Sequence, residues 1–127
     1  AGYMSILSKR FCHQFIGKIL NIHPSLLPKF KGLNTYQKVL ESGDNFHGSS
    51  IHFVTHELDS GPIVLQYRIR IKPADNLKTL QHRVQLGEYI IYPMAIRWFA
   101  EGALKLVEGE VLLNNQLITE PRILEEV

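Results

Sequence analysis

The sequence predicts one α/β domain built around a mixed β-sheet, and three observations lead to this fold class. Runs with the two-residue alternation of strands are interspersed with runs that have the three-to-four-residue spacing of helices, as in α/β proteins. Two long β-type runs, residues 48–55 and 63–72, are joined by only a short loop, which favours antiparallel pairing. A β-hairpin is predicted near the end of the chain. The short loop and the hairpin together argue against a purely parallel core.

Two short helices and one short strand are predicted around the first loop of the chain. Residues 9–16 carry apolar side chains at helical spacing. Residues 18–22 form a brief β-type run that stops at a His-Pro pair. Proline and glycine interrupt residues 25–32, which we expect to be a loop, and residues 35–41 have the spacing of a second helix.

The long β-type runs should each place apolar side chains on one face. In residues 48–55, Ile51 and Phe53 are candidates for the core and alternate with polar residues. Residues 63–72 alternate more clearly, with aromatic and aliphatic side chains on one face and three basic ones on the other. Two interpretations fit the three basic side chains: a basic strip that binds nucleic acid, or a strand face that is exposed to solvent. The solvent-exposed face is the commoner case.

A long helix and a hairpin are predicted for the rest of the chain. Asp75 or Asn76 can cap a helix over residues 77–101, whose apolar positions recur every three or four residues. Pro93 lies inside this helix and should kink it. Residues 104–113 have the pattern of a hairpin, and an Asn-Asn pair after them indicates a second turn.

Composition excludes several classes of protein. The chain has 127 residues, 45% of them hydrophobic and 20% charged, which is ordinary for one globular domain and unlike disordered, collagen-like or coiled-coil sequences. Its net charge of +2 gives no reason to expect nucleic-acid or membrane partners. The single cysteine, Cys12, cannot form an internal disulfide, and no apolar run approaches the roughly 20 residues of a membrane span. We therefore expect a cytoplasmic, single-domain protein.

The segment that starts at Asn21 is the first candidate for chemistry. Side chains alternate along a strand, so Asn21 and His23 should lie on the same side of a strand end, where α/β proteins bind ligands. An amide donor beside an imidazole suits a reaction that builds negative charge on a carbonyl oxygen. The competing interpretation is a polar strand end with an incidental histidine.

Asp59 is the second candidate, because it lies in a loop between two β-type runs. From a sheet end its carboxylate could reach His23 and fix the orientation of the imidazole. The competing interpretation is an ordinary residue in an Asp-Ser-Gly-Pro turn.

The histidines and the cysteine do not predict a metal site or a thiol nucleophile. His52 and His56 are four residues apart, but the surrounding sequence is β-type rather than helical, and the second histidine of a metalloprotease motif is missing. Cys12 falls on an apolar helical stripe, which is typical of a buried structural cysteine. We expect no metal.

Residues 21–28 (Asn-Ile-His-Pro-Ser-Leu-Leu-Pro), 47–54 and 58–62 (Leu-Asp-Ser-Gly-Pro) together resemble the folate-dependent formyltransferases, and the resemblance extends over essentially the whole chain. It implies a Rossmann-like formyltransferase fold. It also implies the transfer of a formyl group from the co-substrate 10-formyltetrahydrofolate to the amine of glycinamide ribonucleotide in purine biosynthesis, without a metal.

The resemblance implies roles for individual residues. The family's catalytic residues fall on Asn21, His23 and Asp59: the first two would donate hydrogen bonds to the oxyanion, and the acid would hold His23 protonated and help to remove a proton. Gln85 and Glu88 match residues that contact the ribonucleotide. Folate would bind at two segments, made up of Met4, Ser5, Ile6, Leu7 and of Val54, Thr55, His56, Glu57, Leu58, Asp59.

Three positions depart from the family pattern, and other functions stay open beside formyl transfer to the ribonucleotide. Asn34 and Tyr36 stand where some relatives have histidines, and His56 stands where an acid is common. Methionyl-tRNA formyltransferase fits less well, because residues 31–35 differ from its usual sequence and no basic C-terminal domain follows. Formyltetrahydrofolate hydrolase and a non-catalytic folate-binding module both remain open.

The resemblance also bears on domain organisation. No glycine-rich phosphate-binding turn precedes Tyr3. We therefore expect residues 1–127 to be the C-terminal part of a single formyltransferase domain, whose N-terminal phosphate-binding half is absent from this chain. Alone, such a chain should bind the ribonucleotide poorly and have little or no turnover. The protein is expected to be a monomer or a homodimer.

Overall fold

The structure, a computed structural model, describes residues 6–127. The predicted helices and the hairpin are present in the expected order, and the observed bounds differ from the predicted ones by a few residues. Two strands, the sixth and the seventh, are not predicted by the sequence pattern. The helices and strands are α1 (Lys9–Gln14), β1 (Leu20–His23), α2 (Thr35–Ser42), β2 (Phe46–Phe53), β3 (Ile63–Arg70), α3 (Leu77–Ala100), β4 (Leu104–Val107), β5 (Glu110–Leu113), β6 (Gln116–Ile118) and β7 (Arg122–Glu125).

Among the described residues, the main sheet has four strands in the order β1-β2-β3-β7. The β1–β2 and β2–β3 pairs are antiparallel, whereas β7 lies parallel to β3, so the predicted mixed sheet is confirmed. In the register of the sheet, His23 on β1 and Gln66 on β3 both lie opposite Ser50 on β2. The strand β7 has only four residues and depends on β3 for its pairing, which is why local sequence does not reveal it.

Helix α3 covers one face of the main sheet. Asn76 caps the helix: its side chain accepts a hydrogen bond from the backbone N–H of Thr79, and the Thr79 hydroxyl accepts one from the backbone N–H of Asn76. Of the two predicted cap candidates, Asp75 and Asn76, the cap is therefore Asn76. Gly87 allows the helix to approach the ring of Tyr67 on β3 closely. Phe53 on β2 contacts Phe99 near the end of the helix. Pro93 lies inside the helix as predicted.

The predicted hairpin forms a separate three-stranded sheet in the order β4-β5-β6. Its two turns are built by Glu108-Gly109 and Asn114-Asn115, all four with positive φ. Consecutive positive φ angles give the two-residue turn whose twist matches that of the flanking strands. The second turn leads into β6, which the sequence pattern does not identify as a strand.

Strand β2 is buried on both faces, whereas the sequence predicts that only the face with Ile51 and Phe53 is buried. Ser49 contacts Glu88 on α3, so the face that also carries Ile51 and Phe53 is covered by this helix. Ser50 contacts residues 25–27, so the opposite face is covered by the loop that follows β1. Polar side chains in a strand covered on both sides must find hydrogen-bond partners inside the protein. Those partners contribute to the site described next.

Candidate active site

A cavity of about 1060 Å³ opens beside β1. It lies between residues 6–11, β1, the loop at residues 32–36 and the loop at residues 52–59. Its volume is slightly above the roughly 300–1,000 Å³ that is typical of ligand pockets. Asn21, His23 and Asp59 all line it, so the structure brings together the three residues that the sequence singles out.

His23 is buried, and each of its two ring nitrogens faces an oxygen. The Nε2–H group donates to the backbone carbonyl of Phe30 over 2.8 Å. Nδ1 lies 3.5 Å from Oδ2 of Asp59. Because Nε2 already has a partner, Nδ1 is the nitrogen that a bound substrate can engage.

The backbone holds Asp59 in place next to His23. Asp59 has a φ of 48°, in the left-handed region that aspartate adopts more readily than most residues. Its Oδ2 accepts a hydrogen bond of 2.9 Å from the backbone N–H of Gly32, which lies in the loop after β1. Its other oxygen, Oδ1, is 3.9 Å from Nε2 of His52. The carboxylate therefore connects two loops and lies beside two histidines.

His52 orients the amide of Asn21. The Nδ1–H group of His52 donates to the Phe53 carbonyl over 3.0 Å, which leaves Nε2 as an acceptor. Asn21 Nδ2 lies 3.4 Å from that nitrogen and donates to it. Burial lowers the pKa of His52, against the Phe53 carbonyl and Asp59, so the ring is neutral and keeps its acceptor near pH 7. The second amide hydrogen of Asn21 remains for a ligand.

A second polar group, made up of Tyr36, His47, Ser49 and Glu88, lies behind His23. The Ser49 hydroxyl is 2.6 Å from Oε2 of Glu88 and 2.9 Å from the His23 carbonyl. One hydroxyl hydrogen cannot serve both oxygens, so both contacts are satisfied together only when Glu88 is protonated. Burial raises the pKa of Glu88, and the Ser49 hydroxyl and His23 oppose that shift only in part.

The two aromatic members of this group are both held neutral. Burial, and then the charge of Glu88, raises the pKa of Tyr36 well above its usual range. Burial, and then the charge of His23, lowers the pKa of His47 to about 4, against the Pro24 carbonyl and Asp44. The rings of Tyr36 and His47 meet edge to face, with centroids 5.2 Å apart. The side of the site behind His23 is therefore a low-dielectric environment.

The residues expected to bind folate are placed at the cavity, as far as the structure describes them. Ile6 and Leu7 line one wall, and residues 54–59 line another. Met4 and Ser5 lie outside the described residues. The residues expected to contact the ribonucleotide do not line this cavity: Gln85 is exposed on α3, and Glu88 is held by Ser49.

Four contributors to the site, two side chains and two backbone groups, are not identified as such from the sequence. The sequence offers His52 only as a possible metal ligand and Ser49 only as a strand residue, and the backbone groups of Phe30 and Gly32 carry no sequence signal. The available signal for the side chains is the run of polar residues inside a β-prone segment, since such residues need internal partners when both faces are covered.

Within residues 6–127, the structure does not indicate a metal site, a reactive thiol or a membrane-spanning helix. This part of the chain contains no group of three or more His, Cys, Asp or Glu side chains placed to hold a metal ion. Cys12 is a buried, free cysteine on α1, as its apolar stripe predicts. None of the described helices has the length and apolar content needed to span a bilayer.

The arrangement suits chemistry at a carbonyl carbon. The free amide hydrogen of Asn21 and a proton on Nδ1 of His23 are donors that can stabilise a developing oxyanion. Asp59 is a carboxylate within reach of the same space and can accept a proton. The donors and the acceptor come from one strand and a distant loop but face one cavity.

Comparison with known proteins places the chain in a family. A family model described as formyl transferase matches residues 1–96. The chain is 51% identical over 118 residues to the phosphoribosylglycinamide formyltransferase of Haemophilus influenzae, covering 93% of this chain and 56% of that protein. The chain spans about half the length of the curated relatives that it matches.

Solved structures of two proteins with formyl-group activities have the same fold as this chain. The phosphoribosylglycinamide formyltransferase of Coxiella burnetii, in complex with CHES, superposes with a TM-score of 0.93 at 43% identity, covering 97% of this chain and 58% of that one. A formyltetrahydrofolate deformylase from Pseudomonas syringae superposes with a TM-score of 0.81 at 28% identity, covering 87% of this chain and 37% of that one. The match over three quarters of the chain, with the same fold in both structures, shows that this protein belongs to the formyl transferase family.

Proposed function

We propose that the chain provides the catalytic residues for formyl transfer from 10-formyltetrahydrofolate to the amine of glycinamide ribonucleotide. The observation that carries this proposal is the placement of Asn21, His23 and Asp59 at one cavity, with Nδ1 of His23 3.5 Å from the Asp59 carboxylate. The identity of 51% to a phosphoribosylglycinamide formyltransferase supports the choice of acceptor.

The proposed reaction needs two donors and one proton acceptor. The acceptor amine attacks the formyl carbon, and the formyl oxygen becomes an oxyanion. Asn21 Nδ2 and Nδ1 of His23 donate to that oxygen, where the charge develops only in the transition state. Asp59, directly or through a water, takes the proton that the attacking nitrogen loses. The tetrahedral centre then collapses, the bond from the carbon to the folate nitrogen breaks, and that nitrogen receives a proton.

The cavity suits the folate donor. Its wall at residues 54–59 offers backbone groups, and Ile6, Leu7 and Phe11 supply apolar surface. A flat, polar-edged ring such as a pterin needs both, because its edges form hydrogen bonds while its faces are apolar. Folate is a co-substrate here, and the proposed reaction has no step that uses a metal.

The proposed acceptor and donor are both small molecules, and neither requires nucleic acid or a membrane. The roles of Gln85 and Glu88 towards the ribonucleotide stay predictions, as do a cytoplasmic location and a monomeric or homodimeric state. Glu88 lies one hydrogen bond from Ser49, whose hydroxyl also reaches the His23 carbonyl, so an acceptor bound at Glu88 would lie near the reacting groups.

Two substitutions test the proposal in a protein that carries both this chain and the phosphate-binding half that we expect a complete domain to have. His23→Ala and Asp59→Asn should each lower kcat about 10²–10⁴-fold, the usual contribution of an acid–base group. Asp44→Asn is a matched control, since this carboxylate pairs with exposed Lys29 outside the cavity. Near-normal rates in both site variants, with unchanged melting temperatures, would contradict the proposed mechanism.

The same assay separates the transferase from the two functions that compete with it. Formyltetrahydrofolate consumption is measured with and without the amine acceptor, and binding of a folate analogue is measured in parallel. Consumption that does not need the amine identifies a hydrolase. Tight folate binding without any turnover identifies a binding module. The first result rejects the transferase, and the second rejects it when the assayed protein also carries the phosphate-binding half that we expect a complete domain to have.

A further inference from the structure

A buried hydrogen-bond network lies outside the cavity, on the face of the sheet opposite α3. The hydroxyl of Ser50 donates to the Ser25 carbonyl over 2.6 Å and accepts from the backbone N–H of Leu27 over 3.0 Å. The side-chain amide of Gln66 donates to the Ser50 hydroxyl over 2.9 Å and to the Leu27 carbonyl over 3.1 Å. Ser25 and Ser50 are fully buried, and Gln66 is 6% exposed.

The donors of Ser50, Leu27 and Gln66 in this network, and both lone pairs of the Ser50 hydroxyl, are all used. A serine hydroxyl has one hydrogen and two lone pairs, and Ser50 uses all three. The Nε2 atom of Gln66 has two hydrogens, and both are used. Such a saturated network, inaccessible to water, fixes its members in one arrangement, because any displacement leaves a buried polar group without a partner.

The network fixes the start of the loop that follows β1, residues 24–34. Further along the same loop, the Ser25 hydroxyl donates to the Lys29 carbonyl over 2.6 Å. The next residues of the loop carry the two backbone groups that hold the reacting pair. These are the Phe30 carbonyl, which accepts from His23, and the Gly32 N–H, which donates to Asp59.

A continuous series of hydrogen bonds and backbone therefore runs from β3 to the catalytic pair. We propose that Gln66 is a positioning residue for this site: through Ser50 and the loop, it fixes the position of the His23 ring relative to the Asp59 carboxylate. This inference rests on the proposed function for its effect on the rate, but its geometric part concerns His23 alone. Gln66 lines no part of the cavity and is not a catalytic residue.

The physical reason for a glutamine at this position is its pair of donors. Methionine has nearly the same length and shape but cannot donate, so Gln66→Met removes both hydrogen bonds without leaving a large cavity. The Leu27 carbonyl then loses a donor inside the protein, and the loop moves to find another partner. A displacement of about 1 Å at a reacting group can lower a rate about 100-fold.

The test compares Gln66→Met with Ile69→Val in the full chain. Ile69 lies on the same strand and is almost completely buried, but its side chain faces α3, so its substitution loosens the core without touching the network. The first readout is the NMR signal of the His23 Nε2–H proton, assigned by its absence in His23→Ala. We expect this signal to be protected in the wild type and in Ile69→Val, and to be lost to solvent exchange or strongly shifted in Gln66→Met.

The second readout is kcat for formyl transfer, which should fall roughly 10–100-fold in Gln66→Met and less than about twofold in Ile69→Val. A His23 signal that is unchanged in Gln66→Met would overturn the proposal. The NMR readout requires no turnover. The kcat readout uses a protein that also carries the expected phosphate-binding half: if its wild type does not transfer formyl groups, the proposed function fails, while the signal still decides whether Gln66 positions His23.

Discussion

At His23, the two ring nitrogens meet different partners, and this difference decides how the residue can act. The bond from Nε2 to the Phe30 carbonyl fixes the plane of the ring. Nδ1 is left facing Asp59 at 3.5 Å, a distance too long for a strong hydrogen bond. A substrate oxygen can therefore engage Nδ1 without first breaking a short internal contact.

His47 allows a test of buried charge at the scale of one residue. The folded protein keeps this ring neutral down to about pH 4, whereas the unfolded chain protonates it near pH 6.5. Protonation of His47 in the unfolded chain therefore does not lower the free energy of unfolding above pH 6.5, and lowers it progressively as the pH falls towards 4. His47→Gln should reduce the difference in unfolding free energy between about pH 7 and about pH 4.5 by on the order of 3 kcal/mol. Urea denaturation at both pH values measures this difference.

His82 provides the control for this measurement. It is exposed on α3, so His82→Gln should leave the acid dependence of stability unchanged. An equal pH dependence in the wild type and in His47→Gln would show that the burial of His47 does not contribute to acid denaturation.

Individual residues differ in how far the sequence can predict them. Asn21 and His23 are predicted to share one side of a strand because alternation alone requires it. Asp59, which lies between two strands, is predicted only as a residue that could reach His23, with an ordinary turn residue as the competing interpretation. His52 and Gln66 are not predicted as parts of the site, because their partners come from distant segments, and nothing in their local sequence distinguishes them from other polar strand residues.

At the scale of elements, the contact between α3 and β3 depends on the absence of a side chain. A Cβ atom at Gly87 would lie 2.0 Å from the ring of Tyr67, far inside normal contact. Alanine is favoured over glycine within a helix by about 1 kcal/mol. Gly87→Ala should nevertheless destabilise the protein by about 1–3 kcal/mol, because the helix must move off the sheet. Denaturant unfolding measures this change.

A second substitution checks the cause. In a Tyr67→Ala background the ring is gone, so adding Gly87→Ala should be neutral or stabilising. If Gly87→Ala destabilises that background as much as the wild type, the close approach to Tyr67 is not the reason for the glycine.

At the scale of the whole molecule, Arg83 ties three segments together. Its guanidinium donates to Glu126 after β7, to Asp75 before α3 and to the Arg70 carbonyl at the end of β3. Hydrogen bonding to Arg83 lowers the pKa of Glu126, against burial. The stabilisation from this pair is therefore present above the ordinary carboxyl pKa and is lost as the pH falls through the lowered value.

Arg83→Gln should cost about 2 kcal/mol of unfolding free energy near neutral pH and less as the carboxylates are protonated. Hydrogen exchange should also become faster in β7, which within residues 6–127 pairs with β3 alone. Arg97→Gln is the control, since Arg97 is an exposed residue on the same helix. Unchanged exchange in β7 would mean that strand pairing holds this segment without Arg83.

Local sequence was sufficient to predict the order of the main helices and strands, the hairpin and the mixed sheet, and it made Asn21, His23 and Asp59 candidates that the family resemblance then selected. Periodicity, turn residues and strand alternation are properties of short segments, so their effect on local structure does not depend on which distant segments they contact. Tertiary contacts were needed to add β7 to the sheet, to cover β2 on both faces, and to bring the backbone of the loop after β1 to His23 and Asp59. These features depend on which distant segments meet, because a buried polar group takes its partner from whichever segment covers it.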